Sequence, residues 1–115
     1  MHELSIAMSI VETAEEEAAR QGSARVGTVF LRLGRLSGVV KEALLSSYEL
    51  VCEGTSLEGS RLDIEEIPIE IYCRPCGEPR TPKSDFNFHC PVCGGPEIEV
   101  RQGKEIEIRA LEIES

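Results

Sequence analysis

Leu4, Ala7, Met8, Val11, Ala14 and Ala18 recur at intervals of three and four, which places them on one face of a helix over residues 4–21. Ile6 and Ile10 widen that face, while Glu12, Glu15, Glu16 and Arg20 fall largely outside it. Gly22 supplies a stop. The run Glu15-Glu16-Glu17 reads as a solvated helix surface with no chemistry required of it. From Arg25 to Leu36 the period changes to two. Val29, Leu31 and Leu33 alternate with Phe30, Arg32 and Gly34, predicting a strand with one apolar face. Ser37-Gly38 breaks that strand. A second helix follows over residues 41–53, with Leu44, Leu45, Tyr48, Val51 and Cys52 turned inward and Gly54 at its end.

Residues 61–72 alternate again, but the alternation slips. Leu62 and Ile64 occupy even positions, whereas Ile67, Ile69 and Ile71 occupy odd ones. A bulge near Glu65-Glu66, or a switch between two pairing partners, accounts for the change of phase. Pro68 cannot donate a ladder hydrogen bond and belongs at an edge or at the irregularity. The last strand, residues 104–114, slips in the same way between Ile106 and Ile108 and the later Leu111 and Ile113. The matching slips predict that these two strands are antiparallel neighbours. The element order predicts an α+β fold: a small three-stranded sheet covered by two helices, with an inserted zinc-ribbon-like module. Residues 1–72 plus 97–115 form the main domain and residues 73–96 the insertion.

That insertion carries the chemistry. It reads Cys73-Arg74-Pro75-Cys76-Gly77 and, after a loop, Cys90-Pro91-Val92-Cys93-Gly94. A Cys-x-x-Cys turn brings two sulfurs within reach of one ion, and the glycine after it accepts the positive φ that completes the turn. Residues 77–89 are enough to fold the second pair back on the first, so four thiolates can enclose one tetrahedral zinc ion. All four positions are then cysteine and none is left for water, which makes the ion structural. Iron of the rubredoxin kind uses the same spacing. So short a segment buries no core of its own, and the metal must supply most of its stability. Phe86 and Phe88 read as cover for the site. His89, beside Cys90, can replace a cysteine; because four thiolates suffice, it reads instead as a solvent-facing imidazole or a neighbour of the ligands. Cys52, on an apolar helix face far from the knuckles, reads as a small buried hydrophobe.

Composition narrows the function. Of 115 residues, 12 are basic and 21 acidic, a net charge of −9, and four thiolates on a divalent ion make the total more negative still. Non-specific nucleic-acid binding depends on neutralising phosphates, and this chain is poorly equipped for it. Within residues 73–96, Arg74, Arg80 and Lys83 face Glu78 and Asp85, which leaves no basic footprint. Five cysteines, four of them in metal-ligand spacing, fit a reducing compartment better than a disulfide scaffold. The N-terminus has no basic segment followed by an apolar run, and no stretch approaches the roughly 18 apolar residues of a membrane span. A cytoplasmic protein is expected. With aromatics at 4% and no Trp, the core must be built from Leu, Ile, Val and Ala.

The chain opens Met1-His2-Glu3, with almost no leader before the first helix. A free terminal amine, the His2 amide nitrogen and the His2 imidazole can chelate one ion through a five-membered and a six-membered ring. Such a nitrogen set favours the planar geometry that Ni(II) and Cu(II) accept and Zn(II) does not. Glu3 can add its carboxylate or its backbone nitrogen. Read otherwise, His2 is a solvated terminal residue and Glu3 an acid favoured by the positive end of the helix dipole.

Six pieces in this order and spacing resemble the HypA family, the hydrogenase nickel-incorporation proteins. They are Met1-His2-Glu3-Leu4-Ser5, Leu33-Gly34-Arg35-Leu36-Ser37, Cys52-Glu53-Gly54-Thr55, the two knuckles Cys73-Arg74-Pro75-Cys76 and Cys90-Pro91-Val92-Cys93, and Ile113-Glu114. The resemblance covers essentially the whole chain. It implies a nickel metallochaperone: Met1, His2 and Glu3 as the nickel site, and Cys73, Cys76, Cys90 and Cys93 holding structural zinc. It also implies delivery of Ni(II) to the NiFe-hydrogenase large subunit, a nickel-handling GTPase as co-chaperone and, in some members, urease maturation. Family members can place a further acidic ligand after the first strand. Here that neighbourhood is Ser37-Gly38-Val39-Val40-Lys41, and the nearest acid is Glu42. The rival reading is a zinc-ribbon adaptor for nucleic acid or protein. No nucleophile–base or two-carboxylate signature supports an enzyme.

Overall fold

The computed structural model describes residues 3–22, 25–84 and 87–114. Among the described residues, two helices and six strands follow in the order α1 (Glu3–Arg20), β1 (Arg25–Gly34), α2 (Lys41–Cys52), β2 (Arg61–Ile67), β3 (Glu70–Cys73), β4 (Glu78–Arg80), β5 (Ile98–Gln102) and β6 (Ile106–Glu114). They make two three-stranded sheets, ordered β2-β1-β6 and β4-β3-β5. The expected pairing between the strands bordering the cysteine stretch is overturned, because β1 lies between β2 and β6. The slip in residues 61–72 comes from a change of partner. β2 pairs with β1, the ladder breaks at Pro68-Ile69, and β3 pairs antiparallel with β4 and β5. Both halves keep their apolar side chains inward, so the chain can change sheets without exposing Leu62, Ile67, Ile69 or Ile71.

The chain forms two compact units: residues 1–32, 38–65 and 107–115, and residues 33–37 and 66–106. In the first, α1 and α2 pack together. The covered side of α1 is Ala7, Ile10, Val11, Ala14 and Ala18, and small residues at 7, 14 and 18 permit close approach. Leu4 and Met8, expected on that face, are 48% and 55% exposed. The buried stripe is narrower than the apolar pattern and turned toward Ile10. On α2, Leu44, Tyr48 and Cys52 are buried, whereas Leu45 is exposed and Val51 only half-covered. The Tyr48 hydroxyl lies 2.7 Å from Ser60 Oγ, and burial raises the pKa of both Tyr48 and Cys52, which disfavours their ionised forms. Cys52 is thus the inert, buried thiol its helical position implied.

In the second unit the Leu33–Ser37 segment is held on two sides. Gly34 N–H donates to Glu105 O at 2.7 Å, Leu36 N–H to Gly103 O at 2.6 Å, and Arg35 N–H to Ile67 O at 3.1 Å. Gly34 has to be glycine for a steric reason. A β-carbon there would fall inside the Gly103 carbonyl and 2.6 Å from Lys104 N, backbone atoms that cannot rotate away. Gly103 adopts φ of +121°, a region that side chains disfavour. Gly34→Ala should therefore destabilise the protein by about 1–3 kcal/mol or more. Urea unfolding measures this, and an unchanged midpoint would contradict the close backbone approach.

Candidate metal centre

Cys73 is the last residue of β3, buried, with its register partners Glu78 on β4 and Ile98 on β5. The chain turns directly after it. Gly77 N–H donates to Cys73 O at 2.8 Å, with Gly77 at φ +69°. The second knuckle repeats the construction: Gly94 N–H donates to Cys90 O at 2.8 Å, with Gly94 at φ +74°. Cys90 N–H donates to Gly95 O at 3.0 Å and closes that turn on itself. Each knuckle is a local product of its four residues and the following glycine. The strands β3, β4 and β5 supply the frame for the first.

The four sulfurs lie within 4.8 Å of one another. Cys73 Sγ is 3.6 Å from Cys93 Sγ, and Cys76 Sγ is 3.9 Å from Cys90 Sγ. These separations are far too long for a disulfide. A tetrahedron with metal–sulfur bonds of about 2.3 Å has edges of about 3.8 Å, so the arrangement fits a single ion with four thiolates. Among the described residues this is the one cluster of histidine, cysteine and acidic groups with metal-holding geometry.

The backbone already favours thiolate at one corner. The amides of Cys93 and Val92 point at Cys90 Sγ, at 3.5 and 3.4 Å. The Cys93 amide, with Val92 assisting, prevails over burial and holds the Cys90 thiol down to about 6. Cys73 differs. The amide of Cys76 pulls its pKa down, but burial and the hydrogen bonds among the neighbouring sulfurs push it up to about 12. A bound cation competes with protons for thiolates, so loading releases acid and low pH opposes it.

His89 is exposed and shares a 3.2 Å hydrogen bond through Nδ1 with Asn87 Oδ1, outside the ligand set. Phe88 is half-buried; Phe86 lies outside the described residues. Met1 and His2 also lie outside them. Glu3 begins α1, and its Oε2 accepts a hydrogen bond from Val40 N–H at 3.0 Å. Val40 is the residue before α2 and has no side-chain cap of its own, so the Glu3 carboxylate satisfies a donor at that helix start. Sequence reasoning missed this link, which joins residues 37 positions apart. It also missed Arg80, whose guanidinium pKa is raised by the Glu78 carboxylate and, less strongly, by the Cys76 and Cys90 thiols. Strand alternation carried a faint signal for the latter: Arg80 stands opposite Ile71, two residues from Cys73 on the same side of the ladder.

The comparisons with known proteins agree along the whole length. The family model described as "Hydrogenase/urease nickel incorporation, metallochaperone, hypA" matches residues 1–113. The hydrogenase maturation factor HypA of Roseiflexus sp. (strain RS-1) is 52% identical over 114 residues, covering 99% of this chain and 93% of that protein. Its counterpart in Chloroflexus aggregans is 43% identical, covering 97% and 98%. Among solved structures, the solution structure of a HypA protein superposes with a TM-score of 0.74 at 25% identity, over 98% of this chain and 96% of that one. The Ni metallochaperone HypA from Helicobacter pylori gives 0.68 at 25% identity, over 98% and 97%. With helices, sheets, sulfur cluster and sequence all in agreement, the chain belongs to the HypA family of hydrogenase/urease nickel-incorporation metallochaperones.

Proposed function

We propose that this chain holds zinc at Cys73, Cys76, Cys90 and Cys93 and carries Ni(II) at Met1, His2 and Glu3 for delivery to the NiFe-hydrogenase large subunit. At the level of the family, the protein is a metallochaperone of hydrogenase maturation and not an enzyme. The observation that carries the finer reading is the closed set of four sulfurs at tetrahedral spacing. Such a set saturates an ion, so it suits a permanent structural metal and is ill-suited to a cargo that must be passed on. The cargo then needs a second donor set of different character. The terminal amine, the His2 amide and the His2 imidazole provide nitrogens that match nickel and reject zinc on geometry.

The Glu3 carboxylate is engaged at the start of α2, which favours the Glu3 backbone nitrogen as the further nickel ligand. Its side chain then fixes where α1 begins. A site at the end of a chain has few protein ligands and can exchange them one at a time with an acceptor. A nickel-handling GTPase as co-chaperone, the urease maturation machinery as a second client, and the cytoplasm as location complete the reading.

Nickel titration of protein with an unblocked Met1 tests it. His2→Ala, or acetylation of the terminal amine, should weaken binding by about two orders of magnitude, roughly 3 kcal/mol. Glu3→Gln, which keeps the backbone nitrogen, should bind nickel nearly as the parent does. Binding should also weaken steadily on acidification, as protons compete for amine, amide and imidazole. Undiminished affinity in His2→Ala would remove the N-terminal site. Zinc removal gives an independent check. The metal contributes on the order of 10–16 kcal/mol to comparable small sites. Chelation should therefore collapse amide dispersion across residues 70–102, read by NMR, while the signals of α1 and α2 persist.

A further inference from the structure

The guanidinium of Arg80 sits in an environment that its salt bridge does not account for. Nη1 donates to Glu78 Oε2 at 2.8 Å and to Pro79 O at 3.3 Å, both within its own strand β4. The side chain is nevertheless only 21% exposed, against 63% for Glu78. Its Nε is fully buried and has no hydrogen-bond partner among the described residues. A surface ion pair can form with both side chains in water, so burial of the cationic partner needs another cause. The cause lies on the other side of the group. Arg80 faces Ile71 across the β3–β4 ladder, on the side that carries Cys73. The Glu78 carboxylate raises the pKa of the guanidinium first, and the Cys76 and Cys90 thiols, one from each knuckle, also raise it.

We propose that Arg80 is a positioning residue for the metal centre, donating hydrogen bonds to ligating sulfurs of both knuckles and offsetting the charge of the four thiolates. The inference rests on the reading that these cysteines hold a metal. Four thiolates around a divalent ion leave two negative charges (four minus two) in a partly buried setting. The amides of Val92 and Cys93 serve Cys90 alone. A fixed cation spanning Cys76 and Cys90 lowers the electron density on both sulfurs, which slows their protonation and their exchange onto competing ligands. Arg suits this role better than Lys, because its planar fork can address two sulfurs and Glu78 at once. Glu78, itself largely exposed, pairs with Nη1 alone.

The test uses the full-length protein, loaded with zinc and separately with Co(II). Variants of ligand neighbours typically lose metal affinity by about 10–100-fold. Arg80→Met keeps the bulk of the side chain and removes charge and donors. It should release zinc to a chromophoric chelator at least about tenfold faster, and its sulfur-to-cobalt charge-transfer band should move to longer wavelength. Arg80→Lys, which keeps the charge and loses the fork, should fall between the two in both readouts. Glu78→Gln, which breaks the salt bridge and leaves the sulfurs untouched, should stay close to the parent. Parental release and an unmoved band in Arg80→Met would overturn the proposal. So would equal acceleration in Glu78→Gln, which would make Arg80 a brace for the hairpin only. Should Arg80→Met fail to take up metal, Arg80→Lys decides, and parental behaviour there overturns the proposal. If the unaltered protein binds no metal at these cysteines, the underlying reading of the site fails instead.

Discussion

Four sulfurs converging to tetrahedral spacing are the constraint on which the cysteine-bearing unit depends. Two glycine-closed turns supply them, and each turn forms from its own short segment: Gly77 back to Cys73 and Gly94 back to Cys90. What no local rule supplies is the approach of the second turn to the first. The β4-β3-β5 sheet is only three to five residues deep in each strand, too little to hold such a fold by apolar burial alone. A metal held by these four sulfurs would do what a core does elsewhere. Backbone amides of Val92 and Cys93 directed at Cys90 favour the thiolate there.

A second constraint lies in the same unit, where Gly34 meets Gly103. Arg35 and Leu36 are hydrogen-bonded outward to Ile67 and Gly103, so backbone fills the space where side chains would otherwise stand. This explains the Leu33-Gly34-Arg35-Leu36-Ser37 stretch in steric terms. Leu33 and Ser37 are buried, Gly34 admits the neighbouring backbone, and the amides between are fully employed. The chain passes between the two units at residues 32–33, 37–38, 65–66 and 106–107. One of those passages falls at Glu65-Glu66, where the apolar alternation of residues 61–72 changes phase.

The four sulfurs form a closed set of soft donors with metal-holding geometry, and a closed shell of that kind rewards permanence. The nickel site proposed at Met1, His2 and Glu3 would draw instead on nitrogens, which suit an ion that prefers planar coordination. The Glu3 carboxylate, bound to Val40 N–H, gives the first turn of α1 a defined neighbour at the start of α2.

Much of this was legible in the residues themselves. Knuckle geometry, ligand type and the closing glycines depend on atoms a few positions apart, and hydrophobic period depends only on backbone repeat, so helices α1 and α2 and strand β1 were readable to within a residue or two. Cys52 was readable as inert because a thiol on an apolar helix face has one ordinary fate. Other features depend on residues far apart in the chain meeting in space. Only the tertiary structure placed β1 between β2 and β6, turned α1 so that Leu4 and Met8 face outward, set Glu3 on Val40, and buried Arg80 Nε opposite Ile71. Periodicity tells which side chains share a face; it contains no information about what that face will meet.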